Sequence, residues 1–466
     1  MLRDKYEFDP AFWAIIEHQA LKMDPELAAI DRMLEDEELY QLIKADPAKH
    51  RPKTLVTGRN STPVEVILRM LALKRLYRWS YAETERHVRD SLILRWFCRL
   101  YFEPGLAHTN LNRWALLIQP ETWPAFNERL TTLATQLKVT RGRKLRTAGT
   151  VVETAIHYPT DSSLLSDGVR VLSRTLKRAQ AVVIQSADLT RSLFRDRRRR
   201  ARNQARRIAN GVRQKSSSAK TAMNQAYRRL IGITQATGQQ AQTILSVLQT
   251  QSDQTAQKLV QRLTTVIPWV QQALDQTVRR VLQNEAVPAS QKIVSLFEPH
   301  TAIIRRQKAG KETEFGPKVW LDEVDGGIVT RWEVLEGNPD EAEQWQPALD
   351  HHRQQFGKPP DQASGDRALY SPQNEAYAYD RGVKHPVLPQ PGRKTESRCS
   401  HEALPWFKRG RRFHAGVEGR ISVLKRKHQL DRCPDHDQAN FDKWVGWGII
   451  AGNLAVMGTA LARQVV

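Results

Sequence analysis

The chain has 466 residues, too many for one ordinary hydrophobic core, and carries 72 lysines and arginines against 50 aspartates and glutamates, a net charge of +22. That field argues against an acidic, self-solvating protein and selects a polyanion, nucleic acid first, as partner. Three scattered cysteines (Cys98, Cys399 and Cys433) argue against a disulfide scaffold. A charged Met1–Pro10 start and the lack of a long unbroken apolar run predict neither signal peptide nor membrane partner.

Residues 1–140 read as an all-helical, DNA-binding domain. Val64, Ile67, Leu68, Leu71 and Leu76 keep a helical spacing, and Ser80 with Glu83 has capping-box spacing for the next helix. A helix is predicted across Ser91–Tyr101, then one capped by Thr109. Arg89, Arg95, Arg99 and Arg113 lie among these helices. The pattern suits a helix-turn-helix reader, and it equally suits a plain helical bundle.

The pattern changes in 141–168. Thr150–Tyr158 is rich in β-branched residues and stops at Pro159, so a strand is predicted there, with Asp161 opening a helix. Residues 169–310 read as a helical insertion rich in Arg and Gln. Within it, Leu259, Leu263, Val266, Val270 and Leu274 form an amphipathic stripe whose expected partner runs through Met223, Tyr227, Leu230 and Ile231. Between Arg191 and Arg213 ten arginines face one aspartate, and Phe194 is the only aromatic residue. Arg197, Arg198, Arg199 and Arg200 are therefore candidates for phosphate contact rather than base stacking; a solvated face is the plainer alternative.

Residues 311–466 return to mixed structure. A hairpin turns at Asp325-Gly-Gly, a helix spans Asp340–Phe356, and a segment leads to Asp366. Next come a helix at Ser371–Arg381, a short strand at Lys384–Leu388, and a helix over Trp406–Arg432. Trp444–Ala462, interrupted by Asn453 and several glycines, is expected to be a buried helix. In the helix over Trp406–Arg432, Arg411, His414, Glu418 and Lys425 are spaced to share a face. One carboxylate among cations, Arg420 included, suits a metal-binding acid beside a phosphate backbone; ordinary surface charge pairs are the plain alternative.

Three blocks carry a family resemblance. Leu145–Thr154 (LRTAGTVVET) with Ile156–Ser163 (IHYPTDSS) looks like the first-strand block of bacterial insertion-sequence DDE transposases of the IS-five-like superfamily, the ISNCY-like group in particular. Asp366–Tyr370 (DRALY), Asn374 and Gly382–Val387 resemble the second-carboxylate block, and Phe413–Ser422 with Lys425 resembles the third, Glu-x6-Lys spacing included. Ser91–Ile118 is similar to the helical domain that precedes the core.

The resemblance implies an α/β RNase H-like mixed-sheet core, split by a long helical insertion, with an N-terminal all-helical domain. Asp366 and Glu418 would be catalytic and metal-binding. The cofactor would be Mg²⁺ or Mn²⁺ in a two-ion site, and the partners double-stranded DNA (terminal inverted repeats and target) and a second protomer. The setting would be the bacterial cytoplasm, at the nucleoid.

Where the family's first aspartate is expected, this chain has Ala148, a methyl without a ligand atom. Glu153, Asp161 and Asp167 do not replace it: in a continuous strand Glu153 faces the other way, and the aspartates lie beyond the strand. Ala368 stands for a glycine and His414 for a frequent arginine. Weak or absent cleavage with retained DNA binding is expected; a non-catalytic DNA-binding protein and a nuclease that cuts without joining are the rivals. Cys399-Ser-His401 and Cys433-Pro-Asp-His436 are too irregularly spaced for zinc to be expected.

Overall fold

The computed structural model describes residues 1–183, 195–212, 216–308 and 311–465. The chain forms two compact units, Met1–Glu153 with Pro317–Val466, and Thr154–Gly316.

The first unit opens with helices α1 (Pro10–His18), α2 (Pro25–Met33), α3 (Glu37–His50), α4 (Val64–Leu76), α5 (Tyr81–Asp90), α6 (Leu92–Phe97), α7 (His108–Leu117) and α8 (Thr122–Gln136). Asp-Pro starts both α1 and α2: the aspartate accepts from first-turn N–H groups, and proline occupies a position whose N–H has no helical partner. The predicted capping box forms, Ser80 accepting from the Glu83 N–H and Glu83 from the Ser80 N–H. Helix α4 is buried almost all round, so it carries its charges inward: Arg69 pairs with Asp31 at 2.6 Å and Glu65 at 3.0 Å. Two sequence expectations shift here. Helix α6 stops at Phe97 rather than Tyr101, and α7 is preceded by Ala107 as its cap, not Thr109. Arg95 donates to the carbonyls of Tyr101 and Glu103, and Arg99 pairs with Asp31 and Glu35, so both serve this packing; Arg89 and Arg113 remain exposed.

A five-stranded mixed sheet completes the unit. Its strands are β1 (Lys144–Val151), β4 (Lys318–Val324), β5 (Ile328–Leu335), β6 (Gln362–Ser364) and β7 (His385–Val387), in the order β5-β4-β1-β6-β7. Strand β1 is antiparallel to β4, with Ala148 opposite Leu321, and parallel to β6, with Arg146 opposite Ser364. The strand predicted at Thr150–Tyr158 therefore begins six residues earlier and ends at Val151; beyond it only Glu153 bridges, to Arg432. Helices α13 (Trp345–Phe356), α14 (Pro372–Asp380), α15 (Glu396–Ala403), α16 (Pro405–His428) and α17 (Gln438–Val465) complete the unit. Leu145 and Trp320 pack with Trp345 of α13 on one face, while Ala148 and Leu321 pack with Val417 of α16 on the other.

Helix α17 is long and apolar enough to cross a membrane, yet its most apolar window is 67% buried against the rest of the protein, as expected for Trp444–Ala462. It contacts α2, α4, α8, α16 and β5. Its one central amide, Asn453, is fully buried and fully used. Its oxygen accepts from the Val329 N–H (2.9 Å) and Arg420 (3.1 Å), and its nitrogen donates to the Val329 carbonyl (2.8 Å) and Asn127 (2.9 Å). Asn127 of α8 in turn donates to the carbonyls of Val329 and Thr330.

The second unit is a bundle of α9 (Asp161–Val183), α10 (Arg198–Gly211), α11 (Ser217–Gln249) and α12 (Gln254–Thr277), with a hairpin of β2 (Ile303–Lys308) and β3 (Lys311–Phe315) that the sequence reading did not include. Leu263, Val266 and Val270 of α12 share a core with Tyr227, Leu230 and Ile231 of α11, the partnership the periodicity predicted. Helix α9 packs against each of α10, α11 and α12.

Candidate functional site

The long helix α16 is laid on the sheet by its own residue pattern. Pro405 starts it, buried residues recur at Phe407, Gly410, Val417, Ile421, Leu424 and His428, and Gln429 in the left-handed region (φ 59°) ends it, four residues short of the predicted Arg432. Two glycines allow close approach. A β-carbon at Gly410 would overlap Val387 of β7, and one at Gly416 would overlap the Arg146 guanidinium of β1. Arg146 then fixes the register. It donates to Glu323 at 2.8 and 2.7 Å and to the Phe413 carbonyl at 2.6 Å, and its guanidinium lies 4.8 Å from the Phe413 ring centre.

Because strand residues alternate, Ala148 shares the α16 face with Arg146. Half-buried, it packs with the cluster holding Val417 and Ile421, and Glu418 follows Val417 on the exposed side of the helix. Strand β6 runs parallel to β1 and ends at Ser364, opposite Arg146. Asp366 lies two residues beyond that strand end and is exposed. His414, one turn before Glu418, hydrogen-bonds the Ser364 backbone and so ties α16 to the strand end that carries Asp366. Burial lowers the pKa of His414 more than its neighbours raise it, which favours the neutral ring. Ala148 thus lies under α16 next to Val417, and Asp366 follows the end of the strand beside it.

An acid that sequence reasoning passed over lies on the opposite face of β1. Glu341, just after β5, pairs with Lys318 at 3.0 Å and reaches to 3.1 Å from where a β-carbon on Gly149 would be. Although the Asp366 side chain reaches solvent, partial desolvation by the protein around it and the Glu341 charge raise its pKa, against the N–H groups of Ala368 and Leu369 and the Lys318 charge, which lower it. No local motif marks Glu341; only the pairing of β4 with β1, which brings Lys318 opposite Val151, delivers it. Glu153, by contrast, is bound to Arg432 at 2.8 Å.

The basic residues divide. Arg411 is exposed on α16, and Lys425 is half-buried. Arg420 does not reach solvent as expected of a phosphate ligand: it lies three residues after Val417 on the buried stripe, is 8% exposed and bonds Asn453, and burial lowers its pKa. In the other unit Arg197 donates to Gln240, Arg198 pairs with Asp196 at 2.6 Å, and Arg199 and Arg200 are exposed. Arg191–Phe194 and Arg213 lie outside the described residues.

A two-ion site needs a set of hard oxygen donors. Among the described residues no group of three or more His, Cys, Asp or Glu is close enough to share a metal ion. Residue 148 contributes a methyl, so the side chains present do not fit the three-carboxylate set. Cys399 is exposed and Cys433 buried; His401 lies edge-on to the rings of Trp406 and Phe407.

Residues 16–115 match a family model described as a transposase domain (DUF772). The matched stretch runs from within α1 to within α7. No curated protein and no solved structure matches the chain.

Proposed function

We propose that this chain is built as a DDE-type DNA transposase, that it binds transposon ends, and that its strand-cleaving centre is disabled at residue 148. The observation that supports the reading is that Ala148 packs under Val417 of α16, whose next residue is Glu418, while Asp366 follows the end of β6, the strand paired with β1. The transposase-domain match over residues 16–115 supports the family, and the net charge of +22 supports a nucleic-acid partner. The order β5-β4-β1-β6-β7, with an antiparallel pair joined to a parallel one, is consistent with an RNase H-like core interrupted between β1 and β4. Double-stranded DNA, at terminal inverted repeats and at a target, is the proposed partner, held by a homodimer in the bacterial cytoplasm. Mg²⁺ or Mn²⁺ belongs to the active relatives that the reading invokes, and the side chains present here do not complete its donor set.

The methyl at 148 also favours a second description of the same scaffold, a DNA-binding protein without catalysis. Both are tested by adding back the missing carboxylate. The purified chain and its Ala148→Asp variant are incubated with labelled inverted-repeat ends and Mg²⁺. The expected result is binding by both, with cleavage and joining by the variant alone. Cleavage by the unmodified chain that survives Asp366→Asn and Glu418→Gln would overturn the site assignment. Cleavage without joining would favour a nuclease, and binding without cleavage by Ala148→Asp the non-catalytic protein.

A further inference from the structure

The helical bundle Thr154–Gly316 carries two basic cavities that share one wall, helix α9. The first, about 550 Å³, opens between α9 and α10. Its acids are already matched: Asp167 pairs with Arg170 at 2.8 Å and Asp196 with Arg198 at 2.6 Å. Arg174, Arg199 and Arg202 also line it, and none has an acidic partner among the described residues. The second, about 450 Å³, opens between α9 and α12; its charged lining is Arg178, Lys258 and Arg262, with no acid. Along α9, Arg170, Arg174 and Arg178 recur every fourth residue, about 6 Å apart along the axis, so they form one ridge between the two cavities. This arrangement is selective. Of the arginine run, Arg197 is bonded to Gln240, Arg198 lines the cavity but is paired with Asp196, and Arg199 and Arg202 line it without an acidic partner among the described residues.

Cations clustered without counter-charge in concave sites raise local potential and attract a polyanion. The described residues lining the two cavities include no aromatic ring, so the stacking that holds single strands is missing, while repeated guanidinium groups suit a regular phosphate backbone. We propose that the band running across α10, α9 and α12 binds the phosphodiester backbone of duplex DNA without reading its sequence. The proposal rests on the DNA-binding half of the reading above and is independent of its chemistry. The band adds grip on any duplex, and sequence choice resides elsewhere in the chain.

Fluorescence anisotropy of the full chain on a labelled duplex of arbitrary sequence, titrated between about 50 and 200 mM salt, tests it. Arg174→Ala/Arg199→Ala/Arg202→Ala and Arg178→Ala/Lys258→Ala/Arg262→Ala should each weaken binding roughly ten-fold or more at low salt. Each should flatten the slope of log K against log salt by about 2 to 3. Lysine at the three arginine positions of the first set should restore most of the slope. Lys220→Ala/Arg228→Ala/Arg229→Ala, which removes as much charge from α11, should leave the slope nearly unchanged. Equal losses in the α11 set, or an unchanged slope in the band variants while the parent binds, overturn the band alone. A parent that binds no duplex overturns the DNA-binding reading with it. A single-stranded oligonucleotide held more tightly than the duplex overturns the duplex assignment.

Discussion

Glu341 presses on β1 from the face opposite Ala148: its Oε1 is 3.0 Å from the Lys318 ammonium and 3.1 Å from where a β-carbon on Gly149 would stand. The glycine provides the room, and after desolvation the Glu341 charge is what most opposes ionisation of Asp366. The Glu341 charge thus raises the Asp366 pKa while the Lys318 charge lowers it.

That coupling has a sign. Asp366 holds its proton more tightly in the folded chain than an ordinary aspartate, so its contribution to stability is present at pH below the ordinary value and is lost as pH rises through the raised one. Glu341→Gln should lower the Asp366 pKa and shrink that loss. Carboxyl ¹³C titration of Asp366 reads it directly, and an unmoved midpoint would show that the two acids do not interact.

The Arg146–Glu323 pair anchors α16, with side chains 12% and 1% exposed. Removing one partner strands a buried charge, so Glu323→Gln and Arg146→Met should each cost about 3–5 kcal/mol in urea unfolding. The double variant should cost clearly less than the sum, because neither charge is left alone. Strict additivity would mean that the pair does not hold the helix.

Acid should loosen the first unit through His428. The ring is 3% exposed, and burial, with Arg420 and Arg75 nearby, pushes its pKa down to about 3. The folded value is depressed, so the stability it contributes is present above the ordinary histidine value near 6.5 and is lost as pH falls toward about 3. His428→Leu should make the stability profile between those limits shallower by up to about 1.4 kcal/mol per pH unit. Parallel profiles for parent and variant would rule the ring out as the acid-sensitive group.

The chain leaves β1 at Val151 and re-enters β4 at Lys318, and those two residues are paired neighbours. Replacing Thr154–Gly316 by a short Gly/Ser linker should therefore leave a folded Met1–Glu153/Pro317–Val466 unit with cooperative thermal unfolding. A molten product would show that the sheet depends on the bundle.

Much of this was readable from residue patterns: the capping box at Ser80, the hairpin at Asp325, the α11–α12 partnership and the helix carrying Glu418. The first strand was misplaced because Lys144 and Arg146 hide its start. Arg146 looks like a surface residue until Glu323, supplied by a strand across the insertion, neutralises it. The β-branched run at Val151–Val152 then carried the reading too far. Strand β6 is three residues of small or amide side chains and has no strand signature of its own. The burial of Arg420 had a signal, since it follows Val417 at the spacing of the apolar stripe, but its charge outweighed its phase. Glu341 had none, because its place beside Gly149 is a product of sheet pairing.

Asn127 and Asn453 together occupy the polar backbone groups of Val329 on the outermost strand, β5, much as an additional strand would. At that point of the flank the backbone groups are already taken and are not open to strand addition by another chain.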